Sequence, residues 1–203
     1  MDDEITRSRR TPVDYTQVLR STLAWLATIA LLSAAGYWAW HQPFMARPRA
    51  LWELSRLPPP ASLAMPVEGV APARVADTFG AARGKDRSHA GVDIFAPRGT
   101  PVLSATRGVV AAIQEGGLGG KQVWIIGPAR ERHYYAHLDA WTKDLAVGQV
   151  VMPGDRLGSV GDSGNAQGTP PHLHYGIYGA NGAYDPLPLL RARGGGADPR
   201  AGR

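Results

Sequence analysis

Four textures follow one another along the 203 residues. Ser21 to Trp40, STLAWLATIALLSAAGYWAW, holds no charged side chain over 20 positions. At about 1.5 Å per residue such a run predicts a helix that spans a hydrocarbon core of roughly 30 Å. Tyr37, Trp38 and Trp40 cluster at its far end, where an interfacial aromatic belt is expected. Residues 41–64 are rich in proline. Within them Ala50 to Leu57 predicts two turns of helix stopped by Pro58, Pro59 and Pro60, and an unstructured linker reads equally well. From Met65 to Leu190 short runs rich in Val, Ile and Tyr are separated by Gly and Pro, with no long period of 3.6. That spacing predicts an all-β domain, a compact antiparallel sheet or sandwich-like arrangement. The Gly- and Arg-rich residues 191–203 show no apolar period and predict a disordered tail.

The uncharged run admits two readings. A cleavable signal peptide has a shorter apolar core and a shorter lead than the 20 residues here, so an uncleaved transmembrane anchor is favoured. Arg7, Arg9, Arg10 and Arg20 precede it, and Arg47, Arg49 and Arg56 follow it. This small bias favours a cytoplasmic segment 1–20 and export of the β domain to the extracytoplasmic side of the inner membrane.

The basic pI of about 9.8 suggests a nucleic-acid binder until the charges are placed. Residues 61–190 carry 11 Lys and Arg against 11 Asp and Glu, and the excess lies in the flanks. A neutral domain offers no phosphate groove, so no nucleic-acid partner is expected. Cysteine is absent, which excludes disulfides and thiolate metal sites. Any metal site is therefore built from His, Asp and Glu. A Gly-x-x-Val echo between GTPVLSATRGVV and GQVVMPGDRLGSVG hints at a swinging-arm carrier domain, but VVMPGDRLG lacks the lysine such a hairpin presents.

Five of the six histidines lie between positions 89 and 174. In TPPHLHYGIY a strand puts His172 and His174 on one face and Leu173 on the other. His89 and Asp93 have an even spacing that also keeps them on one face. Each pair alone also reads as surface residues. Together they supply imidazole and carboxylate ligands for a three-ligand zinc site: His89, Asp93 and one of His172 and His174. The remaining histidines, His137 among them, are then available for proton transfer.

DTFGAARGKDRSHAGVDIFAPRGTPVLSATRGVV, YYAHLD, GDRLGSVGDSGNAQGTPPHLHYGIY and YDPLPLL occur in this order. Over Pro66 to Leu190 the chain thereby resembles the lysostaphin/LytM-type zinc metalloendopeptidases that cut peptidoglycan peptides. The resemblance implies that His89, Asp93 and His174 bind Zn²⁺ and that His137 and His172 are catalytic. It leaves His133 without a counterpart, facing solvent or standing behind the site. It also implies a metallopeptidase domain of antiparallel β structure with a groove over the metal, acting on peptidoglycan, with an envelope protein as a possible regulator. Some proteins of this kind have lost zinc ligands and regulate cell-wall amidases as binding modules. All five matching positions are intact here, which favours the peptidase. The proline-containing stretch before His172 is longer than in tighter versions and alters the groove wall.

Overall fold

The computed structural model describes residues 14–83 and 88–192. Residues 1–13 of the expected cytoplasmic segment and 193–203 of the expected tail lie outside the described residues.

Helix α1 spans Tyr15–Trp40. It starts before the uncharged run because Asp14 caps it: Oδ1 accepts hydrogen bonds from the backbone N–H of Thr16 at 3.0 Å and of Gln17 at 3.2 Å. No residue of α1 is buried. It is the one helix among the described residues long and apolar enough to cross a membrane, a test that a signal sequence also passes.

The second unit begins at Ala46. Helix α2 (Ala46–Arg56) lies in the proline-rich segment for which a two-turn helix and an unstructured linker were equal expectations. Ala50 and Leu54, four residues apart and so on one helical face, are buried against Val109. Glu53 accepts a hydrogen bond from Arg107 at 2.6 Å. Leu63 and Val67 continue into the main core. Much of the Pro-rich segment is thus docked on the β domain, because a few apolar positions suffice to seat a short helix on a sheet.

The strands are β1 (Val92–Phe95), β2 (Pro101–Leu103), β3 (Gly108–Gly116), β4 (Gly120–Ile126), β5 (Arg132–Trp141), β6 (Val150–Val151), β7 (Arg156–Val160), β8 (His172–Gly179) and β9 (Gly182–Tyr184). A short helix α3 (Leu187–Ala192) follows. The strands form one antiparallel sheet in the order β1-β8-β5-β4-β3-β6; β7 joins β5 and β2, and β9 joins β8. The all-β antiparallel class expected from the sequence is the one observed. Alternation sorts the two faces of the central strands. Val92, Ile94, Val123, Ile125, Tyr135, Leu173, Tyr175 and Ile177 point into the core and are fully buried. Each such apolar side chain contributes about 1.5–3 kcal/mol by burial. The other face of β1, β8 and β5 carries the polar residues described below.

His133 belongs to the core face. Expected to face solvent or to stand behind the site, it is instead 0% exposed, because it shares the parity of Tyr135 on β5. Its Nδ1 is hydrogen-bonded to the Tyr175 hydroxyl at 2.8 Å, and its Nε2 has no protein partner. Burial pushes its pKa down to about 4 from an ordinary 6.5. The unfolded chain therefore takes up a proton before the folded chain does. The stability due to neutral His133 is complete above pH 6.5 and declines as pH falls toward 4, by about 3 kcal/mol at 1.36 kcal/mol per pH unit. Thermal melts over this range should show the decline, and His133→Asn should make it shallower, leaving the part due to His137 and His174. An equally steep decline in the variant would assign the acid sensitivity to another group.

Candidate active site

Two adjacent strands and one loop bring the chemistry together. In the β1–β8 register Asp93 stands opposite His174, and Phe95 opposite His172. His89 comes from the loop before β1, not from a strand, so its meeting with Asp93 does not rest on strand alternation. A bridge between Ala82 and Ser88 closes that loop, and the His89 N–H donates to the Ala81 carbonyl at 2.8 Å. Gly91 lets the chain cross β8 closely, since a Cβ there would meet the Tyr175 carbonyl oxygen at 2.4 Å and the His174 ring at 2.9 Å.

His89 Nε2, Asp93 Oδ1 and His174 Nδ1 converge. The separations are 2.7 Å between the two nitrogens, 3.0 Å from His89 to Asp93 and 3.2 Å from His174 to Asp93. The Nδ1–H of His89 donates to the Thr78 carbonyl at 2.7 Å, which leaves its Nε2 as a lone pair aimed at the cluster. Two imidazole nitrogens and a carboxylate oxygen thus crowd one space, a donor set that a cation, or a proton on His174 Nδ1, holds together. A tetrahedral ion with bonds of 2.0–2.1 Å sets its ligand atoms about 3.3 Å apart, so this set fits zinc after side-chain shifts of a few tenths of an ångström. Thr78 also accepts the Asp93 N–H on its Oγ1 at 3.0 Å. Arg83 pairs with the second carboxylate oxygen, Oδ2. Burial opposes ionisation of Asp93, but its contacts with the His174 and His89 imidazoles outweigh it and hold the carboxyl well below the usual carboxylate range. Burial lowers the pKa of His174.

His137 and His172 stand beside this cluster. The His172 ring lies 5.1 Å from that of His137, and its Nε2 is 3.9 Å from Asp93 Oδ1. Each uses Nδ1–H on a backbone carbonyl: His172 on Pro170 at 2.9 Å and His137 on Ser163 at 2.8 Å. Each therefore keeps Nε2 as a free lone pair. Burial pushes the pKa of His137 down to about 4, so it is neutral at pH 7.

His137 reaches the site through a backbone irregularity. Ala136 and His137 are consecutive, yet both line the same cavity of about 290 Å³, which regular alternation forbids. The φ of His137 is 62°, left-handed for a residue with a Cβ. Here β5 ends its pairing with β8 at Ala136 and takes up β7 from Leu138, and the irregularity turns the imidazole toward the site.

All five residues singled out in the sequence are thus gathered in one cavity, and His133 is not among them. The sequence reading missed Thr78, Arg83 and Tyr134. Tyr134 lies edge-on to His174 at 5.7 Å, with its hydroxyl against Gly119 and its pKa raised by burial to about 12. Its alternation with Ala136 on β5 was the available signal. Nothing in the sequence marked Arg83.

Residues 87–186 match the model of peptidase family M23. The chain is 45% identical over 126 residues to an L-Ala–D-Glu endopeptidase of Bacillus subtilis, covering 57% of this chain and 39% of that protein. Among solved structures it is similar to the catalytic domain of lysostaphin from Staphylococcus simulans, with 30% identity and a TM-score of 0.51 over 58% of this chain and 91% of that domain. It is also similar to Csd3 of Helicobacter pylori, with 31% identity and a TM-score of 0.51 over 65% of this chain and 35% of that one.

Proposed function

The chain belongs to peptidase family M23, and on that premise we propose that it is a membrane-anchored zinc metalloendopeptidase that hydrolyses peptide bonds of peptidoglycan crosslinks or stem peptides. The observation that carries this reading is the convergence of His89 Nε2, Asp93 Oδ1 and His174 Nδ1 beside two further imidazoles. In this reading those three residues hold zinc, and His137 and His172 are the catalytic histidines. Bound zinc supplies Lewis acidity toward the scissile carbonyl and a bound water of pKa about 7. The neutral His137 accepts a proton at Nε2 while the Ser163 carbonyl steadies its Nδ1–H. His172, held the same way by Pro170, offers a second Nε2 lone pair; an imidazole that has taken the water's proton at Nε2 can then donate to the oxyanion and return that proton to the departing amine. Asp93 stays ionised as a ligand and takes no part as a base.

α1 serves as an uncleaved anchor in the inner membrane, with segment 1–20 cytoplasmic and the peptidase domain on the periplasmic side. Its length of about 39 Å for 26 residues supports a span. The substrate is peptidoglycan; an envelope protein remains the candidate regulator.

The test uses the full chain in detergent with isolated peptidoglycan, with and without a chelator, and identifies new amino termini by mass spectrometry. Chelator-sensitive release of peptides is expected. Zinc-loaded chain that releases nothing would sink the peptidase reading in favour of a binding module.

A further inference from the structure

On the face of the sheet that bears the metal ligands, a strip of side chains leads away from them. Ala136 of β5 stands opposite His174, and Arg132, four residues along, stands opposite Tyr178. At about 3.3 Å per residue this is about 13 Å, the length of four extended residues. Between these ends Tyr134 stacks on Trp124 with centroids 4.2 Å apart, and Trp124 lies 5.5 Å from Tyr178. The Arg132 guanidinium covers the far end, 5.6 Å from the Trp124 ring and 5.9 Å from that of Tyr178.

Arg132 also lines a second cavity, of about 460 Å³, with Arg130 and Ile126 and with Leu51, Trp52 and Ser55 of α2. This lining contains two guanidinium groups and no carboxylate. Glu131, between the two arginines in sequence, is buried and hydrogen-bonded to Tyr184. The ion pairs of the described residues engage Arg83, Arg98, Arg107 and Lys121, and neither Arg130 nor Arg132. Ala129 and Arg130 both have left-handed backbones, φ 55° and 61°, a cost that a loop carries when the position of its side chains matters.

We propose that this cleft, reached from the metal ligands along the Tyr134–Trp124–Tyr178 strip, binds a carboxylate of an acidic peptide substrate on Arg132 and Arg130, about four residues from the bond that is cut. The proposal rests on the peptidase reading above and adds the charge of the substrate to it. Tyr134 and Trp124 stack on each other and the Arg132 guanidinium lies over Trp124 and Tyr178, so the charge at the far end of the strip is what this surface adds to the site. Arg132 is exposed, and its guanidinium, placed over the Trp124 and Tyr178 rings, can offer N–H donors to a planar carboxylate. Leu51, Trp52 and Ile126 take the aliphatic part of the residue that carries it.

The experiment measures binding to metal-depleted full chain in detergent, by calorimetry. It compares an octapeptide carrying one free side-chain carboxylate four residues from its L-Ala–D-Glu bond with the same peptide amidated at that carboxylate. The free acid should bind about tenfold more tightly, the scale of one charged hydrogen-bonded contact. Arg132→Gln should abolish that difference and leave the affinity for the amide unchanged. Equal binding of the two peptides, or a preference that survives in the Arg130→Gln/Arg132→Gln double variant, would overturn the proposal. Arg132-dependent binding of short-chain phosphatidylglycerol without peptide discrimination would overturn it too, by assigning the cleft to a lipid headgroup. Discrimination in binding, with no chelator-sensitive cleavage of either peptide by the metal-loaded chain, would leave the subsite standing and refute the peptidase reading.

Discussion

Asp93→Ala is expected to remove bound zinc and peptidase activity together. Asp93 is the only anionic group among His89, Asp93 and His174, and its Oδ1 lies within 3.2 Å of a nitrogen of each histidine. Without it two neutral imidazoles remain, one ligand short of the three that hold a catalytic zinc. The loss of metal affinity should exceed the 10–100-fold typical of changes in groups that merely orient a ligand. The Arg83 guanidinium would also stay beside the site without its carboxylate partner, adding a positive charge that repels the ion. Zinc content after dialysis and release of peptides from peptidoglycan are the two readouts, and a circular dichroism spectrum checks the fold. Asp93→Asn keeps the volume without the charge and should fall in the same class. Zinc retained at wild-type level in Asp93→Ala would break the ligand assignment.

Replacing either further histidine should separate metal from turnover. His172→Ala and His137→Asn are expected to keep zinc and to lower kcat by about 10²–10⁴, the scale of a positioned general acid or base. Asparagine is chosen at position 137 because the backbone there is left-handed, with φ 62°, and asparagine adopts that region more readily than alanine. A loss of turnover in His137→Asn therefore reports the missing imidazole Nε2 and not a disrupted strand. In both variants the three convergent ligand atoms are untouched. Unchanged turnover would remove the residue concerned from the chemistry, and loss of zinc from His172→Ala would move His172 into the ligand set.

Much of the fold was legible because periodicity is local information. The uncharged run predicted α1, and Gly- and Pro-bounded runs of Val, Ile and Tyr predicted short strands. Alternation put His172 and His174 on the face opposite Leu173, whose side chain is fully buried. The same alternation, applied to Arg132–Leu138, would have placed His133 with Tyr135 in the core, and there the reading stopped short. The helix in residues 41–64 was one of two equal readings, beside an unstructured linker, and neither made it part of the domain. Ala50 and Leu54 mark a face only once Val109 is known to lie beneath it.

The sequence by itself determined the residue types, the short-strand texture and, where alternation is regular, the face a side chain takes within its own strand. Only the tertiary structure decided which of those faces meet. The opposition of Asp93 and His174 depends on the β1–β8 register, which pairs residues 81 positions apart. The carbonyl that fixes the tautomer of His89 belongs to Thr78, and the one that holds His137 belongs to Ser163, on a loop that enters through the close approach of Gly120 and Gly164. The turn of His137 into the cavity comes from an irregularity where β5 changes partners, against the alternation of its own sequence. Register and irregularity are set by the best simultaneous packing of many distant pairs, so no window of neighbouring residues contains them.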